Sequence, residues 1–269
     1  MALPAAPASA SLTIGQTGQG SASCVPGADL LQPTVTGGNS YVMPGPGTIT
    51  SWTVNQTVNS GQQLTMKVFR KVDDPHTYRV IGHDGPATLT PDGTVGNTFA
   101  ANVQVQRGDV LGFHTITSGV KCLLPAPGEQ FLAGNPSDLG DGASGPFDVD
   151  TADQGRLDIQ ATLVPDNAFS LGKVSRNKKK GTATLNLNLP NPGDLSASGK
   201  GVRATSASRP AAGKSADAGT ARLLIRAKGK RSATLNATGK VKLKPKITYM
   251  PTGGSPSSQS VTVKLIKRT

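Results

Sequence analysis

Hydrophobic and polar residues alternate with a period of two over short runs along most of this chain, and almost no window shows the 3.6-residue spacing of an amphipathic helix. In "QQLTMKVFRKV", Leu64, Met66 and Val68 alternate with Thr65 and Lys67; in "ANVQVQRGDV", Val103 and Val105 alternate with Gln104 and Gln106. Strand side chains point alternately to two faces, so each run predicts a half-buried strand. The runs "SYVM", "TITSWTVNQTV", "TYRVIG", "TFAANVQVQ", "DVLGFHTI", "GVKCLL" and "RLDIQATLV" behave alike. Turn residues separate them at intervals of about 8 to 12 residues, the spacing of an antiparallel sandwich or barrel. About ten strands with long connections favour a jelly-roll-like sandwich over a closed up-and-down barrel.

The alternation continues in the last hundred residues. "TATLNLNL" sets Ala183, Leu185, Leu187 and Leu189 against Thr184, Asn186 and Asn188, and "TARLLIRAKG" sets Ala221, Leu223, Ile225 and Ala227 against Arg222, Leu224, Arg226 and Lys228. Strands are expected at about 169–175, 181–189, 194–199, 202–207, 219–228, 240–249 and 260–267, with "SASRPAAGKSADAG" as a small-residue loop. In "KVKLKPKITY", Lys240, Lys242, Lys244 and Lys246 share one face while Val241, Leu243 and Ile247 share the other. Pro245 cannot donate to a ladder, so a bulge is expected there. If "SVTVKLIKR" pairs alongside with Val261, Val263 and Leu265 inward, Thr262, Lys264, Ile266 and Arg268 join the charged face.

Composition adds a division. The chain has 269 residues, enough for two domains, and a net charge of +12. Residues 1–165 hold seven Lys and Arg against thirteen Asp and Glu, and the remainder holds twenty-one against three. An acidic domain at 11–165 and a basic domain at 166–269 are therefore expected, two surfaces of opposite sign suited to different partners. Residues 1–10 end in Ala8-Ser9-Ala10, the small-x-small form of a signal-peptidase site, and read as the remnant of a signal peptide or as a disordered Ala/Pro tail. No apolar run approaches the ~20 residues of a membrane span.

The two cysteines, Cys24 and Cys122, lie in the acidic part without a Cys-x-x-Cys spacing. In an exported chain they are expected to form a disulfide; otherwise they are two separate buried thiols.

The segments "PGPGTITSW", "QQLTMKVFR", "VQRGDVLGF" and "GRLDIQATLVPD", with the late cysteine, resemble the N-terminal β-sandwich modules of secreted actinobacterial proteins of unassigned role, over Gly45 to Asp166. In those modules the final "PD" often leads into an Asp-rich calcium-type repeat; this chain runs instead into "NAFSLGKVSRNKKKGTATL", so that function does not carry over. From Phe169 the chain resembles an immunoglobulin-like or fibronectin-III-like module. The frame is carried by Phe169, Gly172, Lys173 and Val174, by Asn177 to Leu185, and by Gly193, Leu195 and Ser198 to Val202. The resemblance implies an all-β chain: a jelly-roll-like β-sandwich followed by an immunoglobulin-like one.

Candidate chemistry is sparse. His76, His83 and His114 stand near acids, yet no Gly-x-Ser-x-Gly elbow, His-Glu-x-x-His site or Walker loop accompanies them, and surface or turn histidines are the expectation. The Asp-rich stretch 138–158 offers Asp148, Asp150 and Asp153 as weak calcium ligands, but Ala152 breaks the EF-hand order, so these read as turn residues and no metal or cofactor is expected. Tyr41, Trp52 or Tyr78 would have to be exposed to stack a sugar, and Trp52 is expected in the core. That leaves the row Lys240, Lys242, Lys244 and Lys246 with Lys264 and Arg268. A polyanion would relieve their mutual repulsion. With few aromatics to stack bases, an anionic cell-wall polymer or acidic polysaccharide is expected rather than nucleic acid. The row also reads as a device that keeps strands soluble and guards their edges. Together these point to an exported, non-enzymatic protein, secreted or cell-wall associated; the alternative is a carbohydrate- or protein-binding N-terminal sandwich with the basic domain as spacer.

Overall fold

The computed structural model describes residues 10–55, 61–72, 76–91, 96–134, 138–150, 154–206 and 218–268. All but Ala10 of the expected signal remnant at residues 1–10, and most of the small-residue loop, at 207–217, lie outside them. The chain forms two compact units, dividing at Val164/Pro165, one residue before the expected boundary. Among the described residues it is all-β apart from one short helix.

The N-terminal domain contains β1 (Leu12–Gln16), β2 (Ala22–Ser23), β3 (Asp29–Leu31), β4 (Gly47–Val54), β5 (Gln63–Lys71), β6 (Thr77–Thr88), β7 (Asn97–Val105), β8 (Val110–Thr115), β9 (Lys121–Leu124), β10 (Leu132–Gly134), β11 (Ser144–Pro146), β12 (Asp148–Val149), β13 (Arg156–Leu157) and β14 (Ile159–Pro165). One sheet runs β1-β14-β4-β7, a second β11-β6-β5-β8-β3-β10-β12, and a small third β13-β9-β2. The run "SYVM" is not a strand and contributes only a bridge from Val42 to Val110.

The second sheet curls. Its two edge strands, β11 and β12, are separated in sequence by Phe147 alone, so the edges can lie no more than about 7 Å apart. A nearly closed sheet has two buried faces, and this overturns the reading of β5 as half-buried: Thr65 and Lys67 are buried along with Leu64, Met66 and Val68. Leu64, Met66, Val68, Leu111 and Phe113 join the main core with Ile49, Trp52 and Leu163. A separate cluster of Leu31, Phe69, Tyr78, Val80, Val110, Leu132 and Phe147 packs on the opposite face. Gly112, which pairs with Lys67, is needed for this fit, because a Cβ there would meet the Leu30 carbonyl oxygen at 2.0 Å and the Phe69 ring at 2.9 Å.

The C-terminal domain contains β15 (Ser170–Asn177), β16 (Thr182–Leu189), β17 (Gly193–Ser198), β18 (Val202–Ser206), β19 (Gly219–Ala227), α1 (Lys230–Thr238), β20 (Lys240–Leu243), β21 (Lys246–Pro251), β22 (Ser257–Ser260) and β23 (Val263–Ile266). The sheet β15-β16-β19-β18 and the groups β17-β21-β22 and β20-β23 enclose a core that includes Leu185, Leu187, Leu223, Ile225, Leu243, Ile247, Tyr249 and Leu265. Two expectations are corrected. Helix α1 was not foreseen: "KRSATLNAT" has no apolar stripe, and Leu235 is its one buried residue. It ends at Gly239, whose φ of 68° is a left-handed cap and whose N–H donates to the Leu235 carbonyl. The expected strand 240–249 is two strands, and Pro245 marks a change of sheet rather than a bulge. Residues 240–243 pair with β23, while residues 246–251 pair with β17 and β22.

Candidate functional site

Burial along the lysine segment alternates without a break through Pro245: Lys240, Lys242, Lys244 and Lys246 are exposed, while Val241, Leu243, Pro245 and Ile247 are buried. The hydrogen bonds, however, divide the row. Lys240 and Lys242 stand on the β20-β23 pair, and Lys246 stands on β21 between Ser198 and Ser260. Lys242 lies directly opposite Lys264, and Lys240 lies opposite Ile266. Arg268, exposed, follows β23, and its backbone N–H donates to the Lys178 carbonyl. On the other sheet Arg203 and Arg226 are also direct partners. Like charges directly opposed on one face repel unless screened or neutralised. Among the described residues every ion pair lies in the N-terminal domain, so the described C-terminal cations have no carboxylate partner.

The N-terminal domain instead pairs Lys67, Arg70 and Arg156 with carboxylates, the first of them in a cluster that the sequence reading missed. Register brings Asp29, Thr65, Lys67 and His114 to one face of the curled sheet. The buried Lys67 ammonium donates to Asp29 Oδ1, Asp138 Oδ1 and the Leu139 carbonyl, each at 2.8 Å, which uses all three of its protons. His114 Nδ1 lies 2.9 Å from the same Asp29 oxygen, and Asp29 Oδ2 accepts the Leu139 N–H at 2.9 Å. The hydrogen bond from Lys67 holds the Asp138 carboxyl below its ordinary range. Asp29, His114 and Asp138 have oxygen or nitrogen atoms close enough to share a metal ion. Lys67 already places a positive charge between the two carboxylates, so a divalent ion would have to displace a fully bonded ammonium, and the donor set fits a metal poorly. The only hint in sequence was that Thr65, Lys67 and His114 are polar at same-face positions of neighbouring strands.

Three aspartates of the Asp-rich stretch serve as fastenings. Asp138 accepts from Lys67, Asp141 Oδ1 accepts from His83 Nδ1 at 2.8 Å, and Asp158 is buried and accepts the Gly18 N–H. Of the calcium candidates, Asp148 is exposed on β12 opposite Ala133, Asp150 donates its N–H to the Phe131 carbonyl, and Asp153 lies outside the described residues. Burial pushes the Asp158 carboxyl up to about 7, against the backbone N–H bonds from Gly18 and Asn55 that favour its charged form. Burial likewise raises the Tyr41 hydroxyl, which donates to the Leu157 carbonyl. Nearby, Arg156 pulls Glu129 down to about 2.

Cys24 and Cys122 form a disulfide, with Cα atoms 5.8 Å apart and 98 residues of separation. Tyr41, Trp52 and Tyr78 are all buried, and Trp52 Nε1 donates to Asp84 at 2.7 Å, so none offers a ring for stacking a sugar. No helix among the described residues is long and apolar enough to cross a membrane. Comparison of the chain with protein-family models, with curated proteins and with solved structures finds no match.

Proposed function

We infer that this is an exported, non-enzymatic surface or cell-wall-associated protein whose basic C-terminal domain holds it against an anionic polymer, a cell-wall polymer or acidic polysaccharide. One observation carries the reading: the C-terminal cations have no internal counter-charge among the described residues, and two like-charged pairs, Lys242 with Lys264 and Arg203 with Arg226, face each other directly across strands. A polyanion neutralises such a surface and gains entropy by releasing its own counterions. The disulfide supports an oxidising compartment, and the resemblance to secreted β-sandwich modules points the same way.

The test is retention of the full chain on immobilised heparin or isolated anionic cell wall along a salt gradient. Contacts of this kind are screened over ~10 Å at 0.1 M salt, so elution at moderate salt is expected. Replacing Lys240, Lys242, Lys246 and Lys264 by Gln should bring elution much earlier while folding persists. Replacing the exposed Lys173, Lys179, Arg222 and Lys228 removes the same charge elsewhere and should act less. Equal shifts would reduce the aligned face to bulk charge, and no retention by the parent chain would end the reading.

A further inference from the structure

We propose that the C-terminal domain contains a distinct site for a single anionic sugar unit, in a cleft of about 640 Å³ bounded by α1, the outward faces of β16 and β19 and the turn between β15 and β16. The proposal rests on the reading of this domain as a polyanion binder and names where one unit of such a polymer is gripped. The lysines of β20 are not part of the cleft.

Local sequence builds each wall. In "NKKKG" the Asn177 side chain accepts the Lys180 N–H at 2.9 Å, an Asx-type turn, and Gly181 at φ 64° completes it. A Cβ at Gly181 would come within 3.0 Å of the Leu235 side chain, so the glycine lets the turn pack under α1. On α1, Ser232, Leu235 and Asn236 follow i, i+3, i+4 spacing and line the cleft together. Lys267 donates from Nζ to Asn236 Oδ1 at 2.8 Å, which ties this cation to the helix wall. Arg226 projects from the outer face of β19, with Arg203 directly across the strand pair.

The lining chemistry selects the ligand class. Lys180, Arg226 and Lys267 are its cations, and no carboxylate lines it. An anionic group is therefore required, and the planar fork of an arginine suits a phosphate or a carboxylate. Thr182, Thr184 and Ser232 add hydroxyls for a polyhydroxylated body, while Leu224 gives an apolar patch for its C–H face. The volume lies within the ~300–1,000 Å³ usual for small-ligand sites. A bare polyanion grip needs none of the hydroxyls, the amides or the concavity. Phosphorylated sugars and uronates share the chemistry that this lining recognises.

The experiment is a titration of the full-length, nitrogen-15-labelled protein, followed by NMR, with glucose 6-phosphate, glucuronate, glucose and inorganic phosphate. At least one of the two charged sugars should shift amides of residues 177–184 and 232–236 saturably, at lower concentration than inorganic phosphate, and glucose should not. The pair Arg226→Gln and Lys267→Gln should weaken that binding by roughly tenfold or more, as expected for losing charge-assisted hydrogen bonds. The replacement of Lys240, Lys242, Lys246 and Lys264 by Gln should leave it unchanged. Failure of both charged sugars to shift these amides, equal shifts with glucose or inorganic phosphate, or persistence of binding in the double variant would each overturn the site. Heparin retention reports on the lysine face separately. Retention without cleft binding removes this site alone, and saturable cleft binding without retention removes the polymer reading while the site stands.

Discussion

Lys67 and Lys242 share a local pattern, "TMKVF" and "KVKLK", each a lysine between apolar neighbours in a strand, yet their surroundings are opposite. Lys67 is 3% exposed and bonded to three acceptors, whereas Lys242 is exposed and faces Lys264. The two domains repeat this contrast at large. Arg70 pairs with Asp109 and Arg156 with Glu129 in the acidic domain, while no C-terminal cation pairs among the described residues. A cation inside a closed sheet must be neutralised where it lies, because desolvation without a partner costs several kcal/mol. One on an open sheet is neutralised by water and can be handed to a ligand at little cost. One domain uses charge to fasten itself; the other leaves it available.

The comparison breaks most visibly at the disulfide. Replacing Cys24 and Cys122 by Ser frees a 98-residue loop and should destabilise the N-terminal domain by roughly 4 kcal/mol. Calorimetry should show its transition falling while that of the C-terminal domain stays in place. A common shift of both transitions would show that the domains do not unfold independently.

A nearly equal effect follows from Asp158. Its folded-state carboxyl titrates at about 7 while an unfolded aspartate titrates near ~3.9. Below about pH 4 both states hold the proton. Between there and about pH 7 only the folded state keeps it, so stability falls as pH rises, by up to roughly 4 kcal/mol, and then levels off. Glu129, held down at about 2, acts in the other direction but only in acid, where its contribution is lost as pH drops. Chemical denaturation from pH 4 to 8 should show the decline in the N-terminal domain, and Asp158→Asn should flatten it. An unchanged slope in that variant would remove Asp158 as its cause.

The smallest effects sharpen the contrast directly. Lys67→Met leaves Asp29 buried without its cation and should cost about 3 kcal/mol, at the low end for a broken buried pair because Asp138 reaches solvent. Lys242→Gln should change stability by less than about 0.5 kcal/mol, since it removes repulsion and no contact. Denaturant midpoints measure both; similar losses would mean that the C-terminal lysines are structural after all.

Much of this was legible beforehand and some was not, for specific reasons. The alternation of Leu185, Leu187, Leu223 and Ile225 names the inward face of the C-terminal sheet, and β7 is half-buried as its Val103 and Gln104 suggest, because one side of each is core and the other water. The change of charge sign falls near Leu163 to Phe169, and the two compact units divide between Val164 and Pro165. Keeping Val263 and Leu265 inward places Lys264 on the same face as Lys242, but which residue stands opposite Lys242 was set by the register of the pair. The helix was hidden because it buries a single leucine and is held by its neighbours rather than by its own pattern.

What the sequence by itself determined is the period of each strand and therefore which residues share a face. Whether a face meets water was decided only when the sheet closed, since β11 and β12 flank one residue, Phe147, and draw the edges of seven strands together. That closure buried Lys67 and His114 and gave Asp138 its role, using partners 38 and 71 residues away from the lysine in the chain. The cleft of the C-terminal domain has the same origin. Lys180, Arg226 and Lys267 lie far apart in sequence and belong to no common pattern, and only the packing of a helix over an outward sheet face makes them neighbours. Local alternation is a property of one strand, whereas enclosure is a property of how strands and helix are assembled.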